Sequence, residues 1–231
     1  MSEVTLEQFL RPFSEARGRT APPESVPGIN TARRPDHVYA PLDEAQAVRA
    51  FEAEAAKIGI KTARTTRDGL ARALAEVAAS YGAQTAVIAD DARVDAYGIA
   101  DALHQRNVQC TRWNAAEPAA MRAAAEQADC GITFAKAGVA ETASVMQVCD
   151  AGSGRCICLL PETHIAVLNT RDIVPRMAQA MKILQDEARA TGETPSNVTF
   201  ITGPSNTADI ELVRVVGVHG PINTAVVLVE D

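Results

Sequence analysis

Apolar and polar positions recur along this chain with two periods, and the switches between them mark its elements. Residues 5–13 place Leu6, Phe9 and Leu10 on one side of a short amphipathic helix. Residues 20–41 have no period and hold Pro22, Pro23, Pro27, Pro35 and Pro41, so they read as an extended arm or linker. From Asp43 onward helical stripes alternate with short apolar runs. Asp43 is set to cap a helix carrying Val48, Phe51, Ala55 and Ile58 on one stripe, and Asp68 to cap a second with Leu70, Ala73, Leu74 and Val77. Thr85-Ala86-Val87-Ile88-Ala89 follows as a buried strand. A helix over 95–105, a strand over 108–113, an Ala-rich helix opened by Pro118, and the strand Cys130-Gly131-Ile132-Thr133-Phe134 continue the rhythm. Repeated βα units predict an α/β fold with a mostly parallel sheet and helices on both faces.

After residue 134 the rhythm changes. Residues 143–148, 155–160 and 164–168 are three strand-like runs with turns and no helix between them, which predicts an antiparallel or mixed insert beside the main sheet. Asp172 is then placed to cap a long helix through about residue 190, with Ile173, Met177, Met181, Leu184 and Ala188 on one face. A strand over 198–201, a polar turn and a last apolar run over 225–229 close the chain. With no internal repeat and no second core, the expected organisation is an N-terminal helix and Pro-rich arm over 1–41 and one α/β domain over 42–231.

Totals narrow this picture. The chain has 231 residues, 47% apolar and 22% charged, which is a globular balance with enough length for a sizeable core. Aromatics are 4%, so packing rests on Ala, Val, Leu and Ile. A net charge of −7 argues against nucleic-acid binding. No apolar run approaches a membrane span, and the first residues lack the apolar core of a signal peptide. Five cysteines without CxxC pairs fit reduced thiols in the cytoplasm. Cys156-Ile157-Cys158, read as a strand, puts both thiols on one face, yet the zinc and iron–sulfur spacings are missing, so no metal or cluster is expected on this chain alone.

Candidate chemistry falls in three polar clusters at apparent strand ends. The first is Lys136-Ala137-Gly138-Val139-Ala140-Glu141-Thr142, the second Glu162-Thr163-His164. The third runs from Gly203-Pro204-Ser205-Asn206-Thr207 through Asp209 and Glu211 to Gly217, His219 and Gly220-Pro221. Carboxylates near imidazoles suit general acid–base work, and a carboxylate also serves as a nucleophile toward acyl groups. That makes Glu141, His164, Asp209, Glu211 and His219 the catalytic candidates. Gly203, Ser205, Asn206, Thr207, Gly217 and Gly220 are the ligand-binding ones, because a Gly-Pro-Ser-Asn turn at a helix start offers N–H groups to a small anion. Each has a plainer reading. Glu141 reads equally as a surface carboxylate, His164 as a satisfied core histidine, Asp209 and Glu211 as helix-start residues, and the glycines as turn positions. The chain has no GxSxG, Walker loop or HExxH.

Gly203-Pro204-Ser205-x-Thr207-x-Asp209-Ile210-Glu211, followed by Val216-Gly217-Val218-His219-Gly220-Pro221 and an apolar strand, resembles the signature of the LUD-domain proteins, most closely the LutC/YkgG lactate-utilisation group. Ala140-Glu141-Thr142 and Pro161-x-x-His164-Ile165 match the same pattern in the same order. The chain departs from it at Thr142-Ala143-Ser144, where a Gly often follows the Glu-Thr pair. The resemblance implies a three-layer α/β/α fold similar to the NagB/RpiA/CoA-transferase group. It implies work beside iron–sulfur oxidoreductase subunits that oxidise L-lactate to pyruvate, with the clusters on the partners. The alternative from another class is a self-contained enzyme on a CoA-transferase-like scaffold, acting on a small acyl or phosphorylated substrate.

Overall fold

The central strands of the main sheet draw their place from the apolar runs that form them. The computed structural model describes residues 5–20, 41–207 and 215–230, so the Pro-rich arm and the candidates Asp209 and Glu211 lie outside the described residues. The chain divides into two units, Met1–Ala40 and Pro41–Asp231. In the first, α1 (Leu6–Ala16) opens with a capping box in which Thr5 and Gln8 satisfy each other's backbone N–H groups.

The second unit begins with α2 (Glu44–Lys57), capped by Asp43 in the same reciprocal way with Gln46, as the sequence predicts. Next come β1 (Ile60–Thr66), α3 (Leu70–Ser80), β2 (Thr85–Ile88), α4 (Ala92–Ala96), α5 (Ile99–Gln105), β3 (Gln109–Arg112), α6 (Pro118–Gln127) and β4 (Cys130–Phe134). The smaller pieces follow: β5 (Ala137–Val139), β6 (Ser144–Cys149), α7 (Cys156–Leu159), β7 (Thr163–Asn169), β8 (Ile173–Val174), α8 (Met177–Thr191), β9 (Asn197–Ile201), β10 (Asn206–Thr207), β11 (Val215–Val216) and β12 (Asn223–Glu230).

Six of these strands form one parallel sheet in the order β1-β12-β7-β4-β2-β3, with helices on both faces. Its central strands are buried on both sides, so β7 and β12 read as near-continuous apolar runs. Ile165, Val167, Ala225 and Val227 face a core built with α3, α4 and α5. Ala166, Leu168, Val226 and Leu228 face the opposite core, which adds Phe51 and Ala55 of α2. A second sheet, β8-β5-β6-β9, supplies Val145, Ile173 and Ile201 to that core and turns Ala137, Val139 and Met146 toward α8. An insert sheet is thus present and mixed, with β5 antiparallel to β6 and parallel to β8. Of the three runs expected in it, only residues 143–148 belong, as β6; residues 164–168 are β7, a central strand of the main sheet, and β5, β8 and β9 complete the insert.

Four local readings are corrected. Residues 155–160 form the short helix α7, so Cys156 and Cys158 do not share a strand face; Cys158 is buried and Cys156 half-buried. A four-residue apolar run carries no period long enough to separate helix from strand. Asp68 caps nothing: Gly69 precedes α3 without a side-chain cap bond. Asp172 sits in a 3-10 turn and Ile173 in β8, and α8 starts only at Met177. The helix expected over 95–105 is broken at Gly98, which takes φ +63° between α4 and α5. The strand β1 has no counterpart in the sequence reading. It lies at the sheet edge with only Ile60 buried, and its Lys61, Arg64 and threonines mask the apolar signal.

Candidate functional site

Backbone and hydroxyl hydrogen bonds join the three sequence-nominated loops into one continuous edge. The loop after β5 passes from Thr142 Oγ1 to Ser144 Oγ at 2.7 Å and on to Thr202 Oγ1 at 2.6 Å. Thr202 leads into Gly203, whose φ of +77° turns the chain out of β9. Ser205 N–H then donates to the Pro221 carbonyl at 2.9 Å, its carbonyl accepts from Gly217 N–H at 2.9 Å, and its hydroxyl accepts from His219 N–H at 3.2 Å. The Glu162 carbonyl accepts from Ile222 N–H at 2.8 Å and Asn223 N–H at 3.1 Å, which brings the loop before His164 into the same seam. Asn206 and Thr207 pair with Val216 and Val215 in the β10–β11 hairpin, where the sequence suggests a helix start. The polar stretch leaves β9 at its carboxyl end but meets the main sheet at the amino ends of β7 and β12.

The catalytic candidates point to different tasks. Glu141 accepts from Met177 N–H at 3.0 Å and from Arg176 Nη1 at 2.5 Å, so its carboxylate closes the first turn of α8. His164 is fully buried in β7, with Nε2 2.8 Å from Thr133 Oγ1, and burial lowers its pKa from 6.5 to about 4, leaving a neutral imidazole at physiological pH. His219 enters the edge through its backbone N–H. Among the described residues no hydrogen bond links the side chains of Glu141, His164 and His219. Gly217 takes φ +82°, and a Cβ there would lie 2.5 Å from Ile222 Cγ1, so the turn requires glycine. Gly220 packs beside Ser205 without either constraint.

At the opposite edge of the sheet lies a cleft of about 490 Å³. Its position follows from topology. From β2 the chain moves to β3 on one side, and from β4 it moves to β7 on the other, so the loops leaving these neighbouring strands diverge. Open parallel sheets bind ligands in the crevice outside such a pair of carboxyl ends. Asp90 and Asp91 follow β2, Lys136 follows β4, and Asn169 ends β7; Glu187 of α8 closes the far wall. Asp91 pairs with Arg93 at 2.7 Å, which holds its carboxyl below the usual carboxylate range, and the guanidinium lies 4.3 Å from the centroid of the Phe134 ring. Lys136 Nζ meets Glu187 at 2.8 Å. Asp90 pairs with Arg112 at 2.5 Å, and its N–H donates to the Gly152 carbonyl at 2.8 Å.

The cations Arg93 and Lys136 line this cleft beside six carboxylates, Asp90, Asp91, Asp150, Asp172, Glu187 and Glu193, with Arg93 paired to Asp91 and Lys136 to Glu187 and the Asn169 amide donating to Asp172. Among the described residues no group of three or more His, Cys, Asp or Glu is placed to hold a metal ion. The five cysteines are all free, and burial drives the thiols of Cys130 and Cys158 up to about 12, which makes them poor ligands and nucleophiles near neutral pH. Lys136 belongs to the first polar cluster of the sequence, whereas Asp90, Arg93 and Asn169 lie in none of the three. Each follows an apolar strand run by one or a few residues. That signal was present, but strand order decides which carboxyl ends adjoin, and the sequence does not print it.

A profile of the LUD domain matches residues 48–229. The chain is 36% identical over 234 residues to a protein of Halalkalibacterium halodurans named lactate utilization protein C, covering 97% of both chains. It is 34% identical to lactate utilization protein C 1 of Bacillus mycoides, again over 97% of each. The crystal structure of a DUF162 family protein from Deinococcus radiodurans superposes with a TM-score of 0.58 at 22% identity, over 82% of this chain and 99% of that one, a likeness of fold.

Proposed function

The chain belongs to the LUD-domain family, and on that premise we propose that it serves lactate utilisation in the cytoplasm as the subunit without iron–sulfur clusters in a complex that oxidises L-lactate to pyruvate. The observation that carries this reading is end-to-end kinship: relatives named lactate utilization protein C align over 97% of their own length and of this chain. Electron transfer would fall to iron–sulfur partner subunits. This chain would contribute a site for a small anionic ligand, with Lys136 and Arg93 facing the carboxylate and Asn169 beside them. Five free thiols are consistent with a reducing compartment, and no described helix is long and apolar enough to cross a membrane.

Deleting the gene and growing the strain on L-lactate as sole carbon source tests the proposal. Loss of growth, restored by the wild-type gene, is expected, together with co-purification of iron–sulfur proteins with the tagged chain. Undiminished growth would sink the reading. The switch-point cleft favours a second one, a self-contained enzyme on a CoA-transferase-like scaffold acting on a small acyl or phosphorylated substrate. Turnover by the isolated chain on a panel of acyl-CoA and sugar-phosphate substrates separates the two.

A further inference from the structure

Between the main sheet and the insert sheet runs a seam of four polar side chains: Thr133 of β4, Gln147 of β6, His164 of β7 and Thr224 of β12. Each is 2% exposed or less. Thr133 Oγ1 is the hub, 2.7 Å from Gln147 Nε2 and 2.8 Å from His164 Nε2. Thr224 pairs with His164 in the parallel register, on the same face of the sheet. Among the described residues three buried side-chain atoms lack any hydrogen-bond partner, and all three belong to this seam: Gln147 Oε1, His164 Nδ1 and Thr224 Oγ1. Buried polar groups without partners are rare in folded proteins, and these three side chains are neighbours through the Thr133 hydrogen bonds and the Thr224–His164 register.

The hydrogens of the seam determine what a partner for these three atoms must be. Gln147 Nε2 donates to Thr133 Oγ1. The Thr133 hydroxyl keeps one hydrogen, and His164 Nε2 is the acceptor within its reach. In the tautomer in which Thr133 donates to Nε2, the imidazole proton sits on Nδ1, a donor without an acceptor. Gln147 Oε1 is an acceptor without a donor, and Thr224 Oγ1 is free to accept. We propose that one ordered water molecule is bound here, accepting from His164 Nδ1–H and donating its two hydrogens to Gln147 Oε1 and Thr224 Oγ1. Such a water makes three hydrogen bonds, the usual number for a buried one. An anion fits badly, because it has no hydrogen to give Gln147 and no cation lies among the four side chains. The water joins β6 to β7 and β12 and so couples the two sheets. His164 then acts as a positioning residue that fixes this seam, beneath the loops that carry Ser205 and His219.

A crystal structure of the full chain at a resolution that shows ordered water tests the site. A solvent peak within hydrogen-bond distance of all three atoms is expected; an empty seam, or Nδ1 bonded directly to Thr224 or Gln147, overturns it. Two solution measurements stand beside it. Thr224→Val removes one partner of the water, so the denaturant midpoint should fall; a midpoint that rises or stays put means that the hydroxyl was unpartnered and the seam dry. Nitrogen NMR at neutral pH should find His164 protonated on Nδ1, and protonation on Nε2 refutes the proposed direction of donation. None of these readings depends on growth on lactate, so the failure of one proposal is distinguishable from that of the other.

Discussion

Ala143 holds an unusual backbone in the turn between β5 and β6. Its φ is +50°, its side chain is fully buried, and it follows Glu141-Thr142. The left-handed region costs an L-residue roughly 1–2 kcal/mol. Replacing Ala143 with Gly removes that strain but loses a buried methyl, worth about 0.8 kcal/mol, and adds freedom to the unfolded chain. The opposing effects nearly cancel, so Ala143→Gly should leave stability within about 0.5 kcal/mol of wild type. Ala143→Val should cost about 3 kcal/mol in urea unfolding, since a β-branched residue tolerates this φ badly and overfills the core. His164 gives a pH prediction. Its folded pKa of about 4 lies below the unfolded 6.5. Unfolded chains therefore take up a proton that the folded state refuses, and this part of the stability is complete above pH 6.5 and lost as pH falls toward 4. The His164 ring resonances should stay those of a neutral imidazole down to about pH 4; a midpoint near 6.5 would contradict the burial.

Glu141 is where an element-scale reading replaces a residue-scale one. The sequence offers it as a catalytic carboxylate, and the structure places it on the first turn of α8, the helix that Asp172 was expected to cap. The chain brings a cap from a strand-loop 36 residues earlier, which no local pattern announces. Glu141→Ala should destabilise by about 1 kcal/mol, a cap-sized loss kept modest because the carboxylate is partly exposed. Glu141→Gln keeps an acceptor for Met177 N–H and should cost less. Urea melts of the two variants check the order. The helix α7 teaches the same lesson. Its apolar run reads as a strand, but it is pressed against β4 so closely that a Cβ on Gly131 would lie 1.8 Å from the Ile157 carbonyl oxygen. Gly131→Ala must push α7 off the sheet and should cost 3 kcal/mol or more by unfolding, at the severe end of overpacking (about 1–3 kcal/mol).

At the scale of the molecule, the sequence reads out well where its signals are long. The βα rhythm and the family motifs both appear in its 231 residues, whereas of the runs expected in the insert only that over 143–148 belongs there. What it withholds is adjacency. The named loops do meet, through Ser144, Thr202, Ser205 and Glu162, but at the amino edge of the main sheet. The cleft forms at the other edge from residues of five separate stretches, each unremarkable alone. This division predicts two kinds of variant. Lys136→Ala acts on an ammonium whose exposed pair with Glu187 contributes little to folding, on the order of 0–1 kcal/mol. Its stability should therefore match wild type, while growth on lactate fails if the cleft holds the ligand. Thr133→Val removes the hub of the buried seam and strands both Gln147 and His164. It should cost about 2 kcal/mol or more of stability, and growth should fall only as far as the folded fraction does. Thermal melts and complementation of the deletion strain, measured on the same two variants, decide the matter. If Thr133→Val destabilises while Lys136→Ala grows normally, the ligand does not sit at the carboxyl edge, and the hairpin carrying Ser205 and His219 becomes the place to look.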